Sequence, residues 1–203
     1  MTVVATYVSA ASSFAGLVRE VPGECWDRPG LGEWDLRSLV GHASRALTTV
    51  GTYLGSAAEN EDIASPEQYY AGAKAAASTV DQAGVVERGR QAGIELGSDP
   101  AASIEVLLRA VVKQLDAGED RLIRVVGGLG MRLHSYLPTR TFELAVHSLD
   151  IAAAVDVPFE LPADVLDETA VLAARIAVAI GSGTTMLKSM TGRAQLPPSF
   201  SVV

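Results

Sequence analysis

Apolar residues recur along this chain every three to four positions, and short polar, glycine- or proline-rich stretches separate the periodic runs. Residues 3–21 predict a first helix, with Val4, Val8, Phe14, Leu17 and Val18 on its buried side and Pro22-Gly23 as its stop. Asp35 stands where an N-cap belongs. Leu36, Leu39, Val40, Ala43, Leu47, Val50 and Leu54 follow at helical spacing and predict a second helix. Ser65-Pro66-Glu67-Gln68 signals a third start, and one helix is expected from 66 to about 93. Asp99-Pro100 repeats the signal for a fourth, running to about 126, where Gly127-Gly128-Leu129-Gly130 breaks it. Pro138 is expected to open a fifth helix that ends near 155, and residues 163–180 predict a sixth. From about 184 to 203 a tail remains, whose end forms one strand or packs as an arm. Helix follows helix with no alternation of strands, so the expected class is all-α, in a single domain over 1–203.

Composition supports this reading. Aromatic residues make up 5% of the chain while Ala, Val and Leu dominate, which suits closely packed helices better than sheets. A length of 203 residues buries a core without disulfide staples, and the lone cysteine, Cys25, allows none within the chain. The formal charge of −8 and the absence of a Lys/Arg cluster argue against nucleic-acid binding. No basic segment followed by an apolar run opens the chain, and Arg175 interrupts its longest apolar stretch. Neither a secretory signal nor a membrane span is expected, and a cytoplasmic location is.

Three histidines occur: His42, His134 and His147. Glu143 and His147 are four residues apart on the fifth predicted helix, so they share one face, and Arg140 and Asp150 extend that stripe. A carboxylate and an imidazole at this spacing can point at one ion, and His42 on the second helix is the candidate third ligand. Two histidines and a carboxylate leave a coordination position open. Zinc suits such a set, as do iron, nickel and manganese. Spacing alone leaves a second reading open, a solvated stripe of weak surface ion pairs.

Segment 32–42 reads Gly-Glu-Trp-Asp-Leu-Arg-Ser-Leu-Val-Gly-His, and 140–150 reads Arg-Thr-Phe-Glu-Leu-Ala-Val-His-Ser-Leu-Asp. The first resembles the entry motif of the DinB-like superfamily, and more closely the N-terminal domain of mycothiol-dependent maleylpyruvate isomerases. The second resembles that family's second metal motif. Thr191-Gly192-Arg193 and Leu196-Pro197 are similar to actinobacterial members. The resemblance implies an antiparallel four-helix bundle with additional helices, and metal ligation by His42, Glu143 and His147. It also implies mycothiol as a thiol cosubstrate and an electrophilic small molecule as substrate. The named isomerases carry a further C-terminal domain, whose contacts do not carry over to the short tail here.

Arg140 is the candidate catalytic residue, holding a substrate or thiol carboxylate, with an ion pair to Glu143 or Asp150 as its alternative. Asp150 is a candidate acceptor that orients His147. Arg45 is expected at the surface, His134 in a loop, Cys25 as a structural thiol, and Trp34 as a staple before the Asp35 cap. The leading functional expectation is a metal-dependent, thiol-using transferase or isomerase, acting as a monomer or homodimer. Its competitors are a non-catalytic metal-binding bundle and a metal-dependent hydrolase.

Overall fold

The computed structural model describes residues 2–76, 82–115 and 119–203. Its helices are α1 (Val3–Glu20), α2 (Leu36–Leu54), α3 (Pro66–Ala76), α4 (Gln82–Glu95), α5 (Pro100–Leu115), α6 (Leu133–Val155), α7 (Ala163–Ala179) and α8 (Gly183–Met190). Two small antiparallel ribbons join them, β1 (Pro29–Leu31) with β2 (Trp34–Asp35) and β3 (Leu122–Arg124) with β4 (Gly130–Arg132). The fold is all-α. Helix α6 packs on α1 and α2, and α5 packs on the same two, so the four close a ring with α1 and α2 on one diagonal. Across that diagonal the buried Tyr7 hydroxyl donates to Ala46 O at 3.0 Å. Among the described residues, no helix is long and apolar enough to cross a membrane.

Local signals account for several of these elements. The Asp35 carboxylate accepts from Ser38 N at 2.8 Å and starts α2 in the register that turns Leu36, Leu39, Val40, Ala43, Leu47 and Val50 inward. Asp99 caps α5 through Ala102 N at 3.0 Å, and the Ser65 hydroxyl accepts from Gln68 N at the start of α3. Helix α3 rests on α7 and α6. There Tyr70, Phe142, Leu172 and Ile176 form a second, smaller apolar cluster.

Four features differ from the sequence expectation. The segment read as one helix from 66 to 93 is two, α3 and α4, and α4 lies along α2. Gly84 and Gly89 suggested a weak end to that helix, but Gly89, with Gly93, lets α4 approach its neighbours. A Cβ on Gly93 would meet Arg37 O at 2.8 Å, and one on Gly89 would meet the Trp34 indole at 2.6 Å. Leu122 and Ile123 are strand, not helix, because they pair with Arg132 and Met131. Helix α6 begins at Leu133, with Pro138 inside it. Its first turn is capped from a distance, by Asp120 Oδ1 accepting from His134 N at 2.9 Å. The residues after α7 form α8 before an arm whose Val202 packs on the smaller cluster.

Candidate metal centre

Helix α2 supplies His42, and α6 supplies Glu143 and His147 one turn apart. Glu143 Oε2 lies 3.5 Å from His147 Nε2 and 4.0 Å from His42 Nε2. The two imidazoles meet edge to face, with centroids 4.9 Å apart. Among the described residues these three are the group of His, Cys, Asp and Glu side chains able to share one ion, their donor atoms all lying within 4.8 Å of one another. Donors held about 2.1 Å from a tetrahedral ion stand about 3.4 Å apart, close to the spacing seen here. The side chains are 14–23% exposed, so the site is recessed and still reachable.

Electrostatics distinguish this cluster from a surface ion pair. Burial, then His147, push the His42 pKa down to about 4, so its ring is neutral and has a lone pair to offer. Its Nδ1 is buried without a hydrogen-bond partner, and the 4.0 Å from Nε2 to Glu143 is too long for a hydrogen bond. Nε2 is the nitrogen turned toward Glu143, and with no hydrogen bond to that carboxylate it is free to act as a donor to an ion. Burial opposes the charge on Glu143, but His147, Arg140 and Tyr70 outweigh it and hold its pKa at about 2. Burial also opposes charge on His147, yet its hydrogen bonds to Asp150 and Glu143 lift it to about 9. An ionised carboxylate and two imidazoles, one neutral and one exchanging a proton, form a donor set compatible with a divalent ion.

The surroundings fix each candidate ligand. His147 Nδ1 is 3.0 Å from Asp150 Oδ2, so Asp150 takes the orienting position expected of it. Trp34 stacks on His42 with centroids 4.4 Å apart, while its indole N–H donates to Val86 O on α4 at 3.0 Å. The Tyr70 hydroxyl donates to Glu143 Oε1 at 2.9 Å. Burial, then the Glu143 charge, raise the Tyr70 pKa well above the ordinary phenol value, so it remains a donor.

His42 and Glu143 line a cavity of about 780 Å³, a size that suits a small molecule. Tyr53, Tyr69, Tyr70 and Tyr136 form much of its wall. Arg45, Lys74, Arg88 and Arg140 face it, and among the described residues Glu143 is the one acidic side chain in the lining. Arg140 lies over the Tyr136 and Tyr69 rings, at 5.0 and 5.5 Å from their centroids. It donates to the Thr139 hydroxyl and to Tyr69 OH, and among the described residues it makes no salt bridge. The alternative pairing with Glu143 or Asp150 is therefore not formed. Arg45, half-buried, borders the cavity as well. The chain's tail reaches the same place: Lys74 Nζ donates to Ser201 O at 3.0 Å, and Val203 is part of the wall. His134 lies apart, its ring 3.9 Å from Asp120, and Cys25 is buried in the core.

Sequence reading missed Tyr70, Tyr69 and Tyr136. Tyr69-Tyr70 on α3 comes from a part of the chain that no motif links to His42 or Glu143, so only the fold brings it in. The one available signal was the scarcity of aromatics, which makes an adjacent tyrosine pair unusual here.

The family described as mycothiol maleylpyruvate isomerase N-terminal domain matches residues 8–152, a span that holds both motifs and all three ligand candidates. No characterised protein and no solved structure gives a significant match.

Proposed function

The chain belongs to the mycothiol maleylpyruvate isomerase N-terminal domain family, and from that premise we propose a metal-dependent enzyme that uses a low-molecular-weight thiol, mycothiol, against an electrophilic small molecule. The outcome would be S-transfer or isomerisation. The observation that carries this reading is the opening of a two-histidine, one-carboxylate cluster onto a cavity lined by tyrosines and cations. His42, Glu143 and His147 would hold a divalent ion, zinc first. When bound, that ion would favour the thiolate, the reactive form of the cosubstrate. Asp150 keeps the His147 ring turned to the centre, and Trp34 covers one face of His42. Arg140 has no carboxylate partner of its own and is a fixed cation at any pH, so it would take a carboxylate of the substrate.

The test uses cobalt-loaded protein. Added mycothiol is expected to produce a sulfur-to-metal absorption band, and the electrophile should be consumed only when thiol is present. Silence with every low-molecular-weight thiol sinks the reading, and turnover without thiol points to a hydrolase instead. Loss of a charge-assisted hydrogen bond worth about 1.5–3 kcal/mol corresponds to about 10–150-fold. Arg140→Met is therefore expected to raise KM by that factor for a carboxylated electrophile and to leave an uncharged one nearly unchanged.

Metal uptake should depend on pH in a defined direction. His147 keeps its proton up to about pH 9, and a metal must displace it. Apparent affinity should therefore fall about tenfold per pH unit below that point. The fall should steepen below about pH 4, where His42 is protonated as well. Calorimetry at pH 7 in buffers of different ionisation enthalpy should count about one proton released per metal bound. A count of zero would contradict the assignment of His147 as a ligand.

A further inference from the structure

We propose that Tyr70 is a positioning residue that makes Glu143 a one-oxygen ligand and so keeps a coordination position free for the thiol. The inference rests on the metal reading above and deepens it.

The two oxygens of Glu143 are divided between different tasks. Oε2 faces both imidazoles, at 3.5 and 4.0 Å, whereas Oε1 accepts the Tyr70 hydroxyl at 2.9 Å. The same hydroxyl lies 3.0 Å from Thr139 O, one turn earlier on α6. The hydroxyl has one proton, and the charged carboxylate is the stronger of its two acceptors, so the bond to Oε1 dominates and the Thr139 carbonyl is the competing partner. The ring cannot follow if the carboxylate turns. Tyr70 is 5% exposed and packs against Phe142 and Tyr69, with centroids 5.3 and 5.4 Å away, within the cluster completed by Leu172 and Ile176. Helix α3 therefore acts as a fixed stop against Glu143.

Removing the hydroxyl would release that stop. Glu143 could then rotate and present both oxygens to the ion, and its second oxygen would occupy the position open to sulfur. Groups that orient ligands in this way are typically worth about 10–100-fold in metal affinity or activity.

The experiment compares cobalt-loaded wild-type protein with Tyr70→Phe, which keeps the ring and its packing. The variant is expected to bind cobalt about 10–100-fold more weakly. Its visible spectrum should weaken and shift toward that of a higher-coordinate ion, and added thiol should give a smaller sulfur-to-metal band. A purely structural role would lower the melting temperature of the metal-free variant and leave the cobalt spectrum unchanged. Replacing Tyr70 by 3-fluorotyrosine, of similar shape and a stronger donor, should restore the wild-type spectrum. Superimposable spectra and equal affinities for wild type and Tyr70→Phe would overturn the proposal while leaving the metal centre intact. Failure of the wild-type protein to bind cobalt would overturn both.

Discussion

Gly41→Ala is expected to melt about 6–12 °C below wild type. Gly41 faces α4, and a Cβ there would meet Gly93 N at 2.2 Å, Gly93 Cα at 2.5 Å and Ala92 C at 2.7 Å. All three are main-chain atoms, so no rotamer change relieves the clash and α4 must move off α2. Overpacking of this kind costs about 3 kcal/mol, at the upper end of its usual range. For a chain of this size each kcal/mol lowers the melting temperature by about 2–4 °C. Gly51→Ala on the same helix is the control. Its Cβ would find only the Gln114 side chain, at 3.7 Å, and the gain in helix propensity should make it neutral or slightly stabilising. Thermal melts of the two variants check the argument, and a Gly41→Ala protein that melts with wild type would contradict it. The same displacement would disturb the site. Helix α4 carries Val86 O, which holds the Trp34 indole against His42.

What the sequence disclosed depended on how local the physics was. Asp35, its serine partner three residues on, and the apolar spacing behind them define α2 within one stretch of chain, and that helix forms as read. Glu143 and His147 share a turn of one helix, so their juxtaposition was legible. His42 on the second helix was the candidate partner from residue type and was supported by the family motifs, and the fold does bring the three together. The misread elements are those settled at long range. The α6 start is capped by Asp120 from the approach to the hairpin, so the proline looked like the first helical residue when it is an interior one. Leu122 and Ile123 continue the apolar period of α5, yet pairing with β4 makes them strand. Arg45 has no local signal for a site role and borders the cavity only because of the way α2 is turned. Tyr70 is the sharpest instance. Its sequence neighbours say nothing of Glu143, and its role exists only once α3 has docked on α6 and α7.

His42→Ala and His147→Ala are each expected to lose the metal outright. A site with two imidazoles and one carboxylate has no spare donor, since among the described residues no further His, Cys, Asp or Glu joins the cluster. Asp150 does not replace His147, because it lies on the far side of that ring, at Nδ1. Loss of His147 also removes the partner that helps keep Glu143 ionised, so the remaining carboxylate becomes a poorer ligand. Glu143→Ala should lose the metal for a further reason. It removes the one negative charge among the three candidate ligands and leaves the Tyr70 hydroxyl with the Thr139 carbonyl alone. The metal-free variants should keep the helical fold, because the core of α2 and α6 is formed by Leu39, Val40, Leu47, Leu144 and Ile151, none of them a ligand.

The most direct test of the centre is therefore elemental analysis of protein purified without chelator, wild type beside His42→Ala and His147→Ala. About one equivalent of a divalent metal is expected in the wild-type protein and less than about a tenth of that in either variant. No metal in the wild type, or full retention in both variants, would contradict the proposed centre.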